Sequence, residues 1–210
     1  GWHDWYLAAN LGVERLADHL LPGIEPIGVP QALDGTAIPF EYGDLNMLED
    51  LLRTHDGQVA CIIMEPMRTE LPPEGYLQGV RDLASRHGVI LIFDEVSCGF
   101  RVAPGGVQEY VGVTPDMSVF AKAISNGYPM AAVVGSREVM EPASNMFISS
   151  AYWDDNVGVV AALTTLQELQ KRDAVAHFEK MGTAFRDRVD NAAQDAGLDA
   201  ACVGVAAHPG

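Results

Sequence analysis

Cysteine is scarce in this chain. Only three cysteines occur in 210 residues, Cys61, Cys98 and Cys202, and no two of them form a Cys-x-x-Cys pair. Their odd number and wide spacing argue against a disulfide framework and against a zinc site. Cys61 lies within an apolar run and is predicted to be a small core residue. The histidines show no His-Glu-x-x-His spacing, so the sequence predicts no metal site.

Positive charge is scarce as well. The chain has 13 lysines and arginines against 29 aspartates and glutamates, which gives a net charge of −16. No basic stripe is present to meet phosphates, so the composition argues against a nucleic-acid partner. The only lysines are Lys122, Lys171 and Lys180. Few lysines therefore compete for a chemical role.

Long hydrophobic runs are also missing. The longest apolar stretches are far shorter than a membrane span, and no signal-peptide pattern is present. Hydrophobic residues make up 48% of the chain and charged residues 20%, as in ordinary globular proteins. We therefore expect a cytoplasmic protein with no membrane partner.

Predicted helices and strands alternate in the middle of the chain. Helical spacing of apolar residues over 46–55 precedes an apolar strand at 59–64, and a helix over 73–87 precedes a strand at 89–93. Strands that are apolar throughout and joined by helices are typical of a parallel sheet covered on both faces. We therefore predict an α/β fold with a mostly parallel sheet sandwiched by helices.

Two further strands and two long helices follow. Residues 117–124 and 130–135 are separated by an Asn-Gly turn signal and are predicted to form a hairpin. A helix over 154–171 is expected to turn one apolar set inward: Val157, Val160, Ala161, Leu163, Leu166 and Leu169. A second helix over 174–196 does the same with Phe178, Met181, Phe185 and Val189. We predict that these helices lead into a small C-terminal α/β domain.

One acid and one amine stand out against their apolar surroundings. The run Leu-Ile-Phe-Asp-Glu-Val at 91–96 reads as a buried strand that ends in a carboxylate, Asp94. Lys122 follows 28 residues later inside the second apolar run Phe-Ala-Lys-Ala-Ile. The pattern indicates that a buried acid and a buried amine reach one cleft from two neighbouring strand ends.

The pair formed by Asp94 and Lys122 has three interpretations. An apolar strand ending in Asp-Glu also describes the magnesium-binding strand of P-loop NTPases, but the chain has no phosphate-cradling loop that ends in Gly-Lys-Ser/Thr. Alternatively, the chain is a catalytically incompetent or cofactor-free relative or fragment in which Asp94 and Lys122 form a structural ion pair. Pyridoxal phosphate fits best, since a desolvated lysine amine forms a Schiff base with its aldehyde and a carboxylate keeps its ring nitrogen protonated.

Residues 88–140 resemble the class III aminotransferases, and in particular the branch that contains glutamate-1-semialdehyde aminomutase. The match is collinear and includes Asp-Glu-Val at 94–96, Gly-Phe-Arg at 99–101, Gly-Gly-x-Gln-Glu-Tyr at 105–110 and the run around Lys122. The resemblance implies a fold-type-I pyridoxal-phosphate large domain and transfer of an amino group by a transaminase or a 2,1-aminomutase. It also implies a homodimer with a shared active site, and an amino acid, amine or amino-aldehyde as substrate.

The resemblance assigns roles to individual residues. Lys122 would carry the cofactor as a Schiff base and move the proton between substrate and cofactor carbons. Asp94 would bind the pyridinium nitrogen, and Val96 would pack on one ring face. Glu65 matches a family Glu-Pro at the mouth of the preceding strand, or is an acid that ends the strand and faces water. Arg68 could bind a substrate carboxylate, or could be an exposed loop arginine.

The chain departs from the family pattern in two ways. The family threonine that binds the partner subunit's phosphate falls on Ala151, so Ser149 or Ser150 would have to replace it. Family members are about twice as long, and we expect an internal fragment. The expected domains are a partial cofactor-binding domain over 1–153, a connecting helix over 154–172 and the start of a small domain over 173–210.

Overall fold

The computed structural model describes residues 8, 11, 27–152 and 154–209. Contacts divide the chain into two compact units, residues 1–50 and 51–210. The first contains a 3-10 turn, Gln31–Leu33, and most of helix α1, Leu45–Thr54. The Asp44 carboxylate accepts a hydrogen bond from the Met47 N–H at 2.9 Å, as a helix-capping residue does. The helix predicted over 46–55 is thus confirmed.

The second unit is built on a four-stranded sheet. The strands are β1, Cys61–Met64; β2, Ile90–Asp94; β3, Met117–Phe120; and β4, Ala132–Gly135. They lie side by side in chain order, with β1 and β2 parallel, β2 and β3 parallel, and β4 antiparallel to β3. The predicted mostly parallel α/β sheet is confirmed, and so is the antiparallel pairing of the last two strands.

Helix α2, Tyr76–His87, connects the first two strands and packs on the sheet. Its buried side chains recur at helical spacing: Tyr76, Leu77, Val80, Leu83 and Ala84. Each large apolar side chain removed from water contributes about 1.5–3 kcal/mol. Gly88 ends the helix in the left-handed conformation that glycine adopts without strain, and its N–H reaches the Ala84 and Ser85 carbonyls.

Burial alternates along the strands. Ile62 and Met64 of β1 are buried, whereas Cys61 and Ile63 are exposed. The prediction that Cys61 is a core residue is therefore wrong. Alternate residues of a strand point to opposite faces, and this residue lies on the face that the described part of the chain leaves uncovered at β1.

Asp116 fastens the amino-terminal edge of the sheet. Its carboxylate accepts hydrogen bonds from the Leu91 N–H and from the Arg81 guanidinium, each at 2.7 Å. Its own N–H donates to the Leu91 carbonyl, and its carbonyl accepts from the Ser136 N–H. Burial alone would raise the pKa of Asp116, but these hydrogen bonds and the Arg81 charge outweigh burial and lower it. One residue thus ties together β2, the start of β3, the end of β4 and α2.

The third strand is shorter than the sequence predicts. It ends at Phe120, and a 3-10 helix, Lys122–Ser125, follows in place of the strand expected through residue 124. Lys122 and Asn126 both have a φ of 49°, which an extended strand cannot accommodate. The Ser125 hydroxyl donates to the Tyr128 carbonyl at 2.6 Å and closes this connection.

Two short helices, α3, Val107–Val111, and α4, Arg137–Met140, precede the two long ones. A 3-10 helix, Glu141–Asn145, follows α4 directly. The long helices are α5, Asn156–Lys171, and α6, Ala174–Asp195, so both predicted helices are confirmed within two residues. Along the described part of the chain, no helix combines the length and apolar character needed to cross a membrane.

The inward face predicted for the long helices is partly wrong. On α5 the buried residues are Gly158 and Ala162, and Ala162 belongs to a cluster with Phe100, Phe120 and Ile124. Leu166 and Leu169 pack against that cluster as predicted, but three other expected core residues are exposed: Val157, Val160 and Leu163. On α6 all four are exposed: Phe178, Met181, Phe185 and Val189. Small residues let α5 approach closely, since a Cβ at position 158 would lie 2.9 Å from the Pro129 carbonyl oxygen.

Candidate active site

The carboxyl-terminal ends of three strands bring the candidate residues to one edge of the sheet. Glu65 directly follows β1, Asp94 is the last residue of β2, and Lys122 comes two residues after β3. In the parallel register Met64 is opposite Phe93 and Asp94 is opposite Val119. Ligands of α/β sheets bind at this edge, outside the carboxyl ends of the strands.

Lys122 lies just beyond the end of β3, and its amine is bound by the loop that follows β2. Its Nζ donates to the Ser97 Oγ at 2.6 Å, and the residue is exposed. The sequence predicted a buried lysine, and this is a correction. Since β3 ends at Phe120 and Lys122 adopts a left-handed backbone conformation, the side chain projects beyond the sheet. A non-glycine residue held in that conformation stores strain of a kind that is concentrated at functional sites.

Asp94 is half-buried where the sequence predicted a buried acid, because it is the terminal residue of β2 and lies at the rim. Its Oδ1 accepts a hydrogen bond from the Val96 N–H at 3.0 Å, which turns the carboxylate back along its own chain. Oδ2 has no hydrogen-bond partner among the described residues, so it can accept from a bound group. Val96, also half-buried, is in the turn that follows.

Asp94 and Lys122 do not pair with each other in the described structure. The amine binds a serine hydroxyl and the carboxylate binds a backbone N–H. The alternative in which the two residues merely form an ion pair therefore lacks the contact that it requires.

Glu95 is a site-forming residue that the sequence analysis missed. It is fully buried, and its two carboxylate oxygens accept the N–H groups of Val107 at 2.7 Å and Gln108 at 3.2 Å. Burial raises its pKa, while these hydrogen bonds act in the opposite direction. A Cβ at Gly106 would overlap this carboxylate, which explains the glycine there. The signal was present as a charged residue at the end of a buried strand, followed by a glycine-rich loop.

Ser97 and Arg101 support the lysine from the same loop. The Ser97 hydroxyl accepts from Lys122, while the Ser97 carbonyl accepts from the Arg101 Nε at 2.5 Å. Nearby, the buried Cys98 thiol lies 3.9 Å from the Asp94 carbonyl oxygen. The loop that follows β2 is therefore fixed at several points, and the lysine amine is held against it.

The Glu65 carboxylate pairs with the Arg68 guanidinium at 3.1 Å. Arg68 is 61% exposed, and the pair connects residues three apart in the turn after β1. Both residues lie at the predicted edge, but the arginine already has a carboxylate partner.

The residues considered for phosphate binding lie elsewhere. Ser149 and Ser150 are exposed in an irregular segment, and Ala151 is in the turn that follows it. Within the described residues, no hydrogen bond joins this segment to Lys122, Asp94 or Glu65. The structure does not bring these serines into the group of site residues in a single chain.

The residues at the sheet edge fit pyridoxal phosphate in two respects. The Lys122 amine is accessible for a covalent link to an aldehyde. The second Asp94 oxygen can accept a hydrogen bond from a protonated ring nitrogen. Among the described residues, no group of three or more His, Cys, Asp or Glu is placed so that it could hold a metal ion.

The sequence profile described as "Aminotransferase class-III" matches residues 25–199. The chain therefore belongs to the class III aminotransferase family, which confirms the resemblance noted in the sequence. It is 34% identical, over 94% of its length, to 3-aminobutyryl-CoA aminotransferase of Cloacimonas acidaminovorans (strain Evry), of which it covers 46%. It is 38% identical, over 81% of its length, to glutamate-1-semialdehyde 2,1-aminomutase of Citrifermentans bemidjiense, of which it covers 42%.

Solved structures confirm the fold. The structure of the PLP internal aldimine form of the Sphingopyxis sp. MTA144 FumI protein superimposes with a TM-score of 0.80 at 28% identity, covering 85% of this chain and 45% of that one. An omega-transaminase from Sphaerobacter thermophilus gives 0.77 at 28% identity, covering 88% and 44%. The chain thus spans just under half the length of the relatives it matches.

Proposed function

We propose that the full-length protein uses pyridoxal phosphate to move an amino group, as a transaminase or as a 2,1-aminomutase. The substrate would be an amino acid, an amine or an amino-aldehyde. The observation that carries the proposal is the position of Lys122 and Asp94 at the carboxyl ends of two neighbouring parallel strands. Membership of the class III family supports the same chemistry.

In this proposal each residue has a distinct task. When bound, the cofactor supplies an aldehyde for covalent attachment and a ring that takes up the electrons of a substrate carbanion. Lys122 provides the attaching amine and, once released, moves a proton at the reacting carbon. Asp94 would accept a hydrogen bond from the ring nitrogen, and Val96 would pack on one face of the ring. Ser97 orients the Lys122 amine.

A homodimer with a shared site is part of the proposal. The stripe on α5 formed by Val157, Val160 and Leu163 is exposed in the single chain, as is Phe147 in the segment before it. Exposed apolar patches of this kind mark interaction sites. Four statements stay predictions. They are that Ser149 or Ser150 contributes to phosphate binding, that Glu65 contacts the cofactor, that the domain boundaries lie at residues 153 and 172, and that the protein is cytoplasmic.

The proposal predicts which lysine carries the cofactor. The full-length protein is incubated with pyridoxal phosphate, reduced with borohydride, digested and analysed by mass spectrometry. We expect the reduced cofactor on Lys122, its loss in Lys122→Ala, and a fall in amino-transfer rate of at least about a hundredfold. The matched control variants Lys171→Ala and Lys180→Ala change exposed helix positions, and both should still carry the reduced cofactor on Lys122. A label on Lys171 or Lys180 in the wild type would overturn the assignment.

A further inference from the structure

The loop that follows β2 has an irregular backbone near its end. Phe100 adopts a φ of 65°, in the left-handed region that residues other than glycine seldom occupy. With the chain turned in this way, the Arg101 N–H donates to the Cys98 carbonyl at 3.4 Å instead of reaching the residue four positions back. That residue is Ser97. Among the residues that the structure describes, no backbone N–H donates to the Ser97 carbonyl.

The Arg101 side chain takes the place of the missing backbone donor. Its Nε donates to the Ser97 carbonyl at 2.5 Å, and within the described part of the chain the guanidinium has no carboxylate partner. Both residues are half-buried, so water is a poorer substitute for the guanidinium than it would be at the surface. A hydrogen bond from a charged donor is also stronger than one between neutral groups. The orientation of the Ser97 peptide therefore depends on Arg101.

The same serine holds the Lys122 amine through its hydroxyl. The Ser97 Oγ accepts from the Lys122 Nζ at 2.6 Å, and this is the one hydrogen bond of the amine to the described residues. The loop also packs against the end of β3, since the ring centroids of Phe100 and Phe120 are 5.0 Å apart. Arg101, Ser97 and Lys122 thus form one chain of hydrogen bonds that ends at the amine.

We propose that Arg101 is a positioning residue, which acts through Ser97 to fix the place of the Lys122 amine. This inference rests on the amino-transfer function proposed above and extends it to a residue outside the group that would touch the cofactor. Without the guanidinium, the Ser97 peptide loses the donor that fixes its orientation, and the hydroxyl turns with it. A displacement of the reacting group by about 1 Å can lower a rate by about a hundredfold.

An arginine beside the amine has a second conceivable use, because a guanidinium also binds anions such as a phosphate group. The two roles differ in what they change. An anion-binding arginine sets how much pyridoxal phosphate is needed to fill the site. A positioning arginine sets how fast the amine reacts once the aldehyde is bound. The contact of Nε with the Ser97 carbonyl favours the positioning role.

The first test measures how fast the Lys122 amine condenses with the cofactor. Cofactor-free full-length protein is mixed with pyridoxal phosphate at several concentrations and reduced with borohydride at timed intervals, and the label on Lys122 is quantified by mass spectrometry. The maximum rate reports the reaction of the bound aldehyde, and the half-saturating concentration reports its binding. We expect Ser97→Ala and Arg101→Met each to lower the maximum rate about tenfold and to keep the half-saturating concentration within about twofold of the wild-type value.

A double-mutant cycle shows whether Arg101 acts through Ser97. In the Ser97→Ala background, Arg101→Met should lower the maximum rate by less than about twofold, since its route to the amine is gone. Ser97→Thr keeps the hydroxyl and should react at nearly the wild-type rate. Arg188→Met, at an exposed position on α6, is the matched control and should change neither constant. Additive effects of the two changes, or an effect of Arg101→Met on the half-saturating concentration alone, would overturn the proposal.

A second readout needs no cofactor. Acetic anhydride labels the amines of the cofactor-free protein, and the exposed Lys171 and Lys180 serve as internal references. An amine held by the Ser97 hydroxyl must leave it to react, so Ser97→Ala and Arg101→Met should raise the labelling rate of Lys122 relative to the references by a similar factor. Unchanged relative labelling in both variants would contradict the positioning role.

Two further measurements keep the outcomes distinct. Urea unfolding of each variant shows whether it is folded, and Arg101→Lys, which keeps the charge but changes the geometry of the donor, is a milder form of the same change. Its maximum rate should lie between those of the wild type and Arg101→Met. Borohydride labelling of the wild type shows separately whether Lys122 carries the cofactor, so failure of the amino-transfer proposal and failure of the positioning proposal can be told apart.

Discussion

The two edges of the sheet use their charged groups in opposite ways. At the amino-terminal edge the Asp116 carboxylate is engaged by a backbone N–H of β2 and by the Arg81 guanidinium. At the carboxyl-terminal edge the Lys122 amine binds only a serine hydroxyl, and the Asp94 Oδ2 has no hydrogen-bond partner in the described part of the chain. The first edge stabilises the fold, and the second retains hydrogen-bonding capacity for a ligand.

Glu95 shows how the open edge is supported. Its neighbour Asp94 lies at the rim with an oxygen to spare, whereas Glu95 is fully buried and satisfied by two backbone N–H groups. Consecutive residues at a strand end point in opposite directions, so one acid can serve chemistry while the other fixes the loop. Asp94, which has a free carboxylate oxygen, is therefore supported by a neighbour, Glu95, whose hydrogen bonds are complete.

Replacing Gly106 should have the largest effect on stability, because a larger residue there would meet the Glu95 carboxylate. Gly106 and Gly112 both have positive φ, at 85° and 71°. Gly112, with ψ 21°, is in the left-handed region, where an alanine costs about 1–2 kcal/mol, whereas Gly106, with ψ −166°, is in a region that essentially only glycine adopts and is strained more by an alanine. Only at Gly106 would the new Cβ meet the Glu95 carboxylate, whereas Gly112 has open space. We expect Gly106→Ala to lose about 1–3 kcal/mol more than Gly112→Ala in urea unfolding of the full-length protein. Equal losses would show that the contact is unimportant.

Asp116→Asn tests the closed edge and should have an intermediate effect. The isosteric amide keeps one acceptor but loses the charge that attracts Arg81, at an expected cost of about 1–2 kcal/mol near neutral pH. Since folding lowers the pKa of Asp116, its contribution is present above the unfolded value near 3.8 and is lost as the pH falls through the lower folded value. Urea unfolding of wild type and variant at pH 7, 5, 4 and 3 should therefore converge below about pH 4. A constant difference across this range would contradict the assigned role.

The smallest expected effect is a difference between the alkylation rates of two cysteines, Cys98 and Cys61. Burial, followed by the negative charges of Glu95 and Glu65, raises the pKa of the Cys98 thiol to about 12, and the residue is 1% exposed. Cys61 on β1 is exposed. At pH 8, iodoacetamide should modify Cys98 at least about tenfold more slowly than Cys61, as read by mass spectrometry. In denaturant the two alkylation rates should approach each other. Rapid labelling of Cys98 in the native protein would show that its thiol is not buried.

Apolar runs and turn residues predicted the sheet well. The strands at 59–64 and 89–93 and the helix between them are recognisable because continuous apolar runs and helical spacing are local signals. The end of β3 was missed for a similar reason. Phe-Ala-Lys-Ala-Ile reads as one apolar run, and the left-handed backbone of Lys122 has no glycine or proline to announce it.

Contacts between distant parts of the chain could not be predicted from local pattern. The buried face of α5 is set by the close approach of Gly158 to the Pro129 carbonyl, so larger residues such as Val160 face outward. Asp94 and Lys122 were found because each contrasts with its apolar neighbours. The segment after α6 has no such contrast, and its hydrogen bond from Val205 to Thr69 in the turn after β1 joins residues more than a hundred positions apart.

The contacts at the carboxyl-terminal edge span very different lengths of chain, and this has a consequence for the order of folding. Glu95 and Val107 are 12 positions apart, and Lys122 and Ser97 are 25 apart. The hydrogen bond from Val205 to Thr69 closes a far longer loop. Loop-closure entropy grows with length, and contacts of high sequence separation slow folding. We expect the loop held by Glu95 to form early and the segment after α6 to dock late, so that the Lys122 amine is in place before that segment reaches the turn after β1.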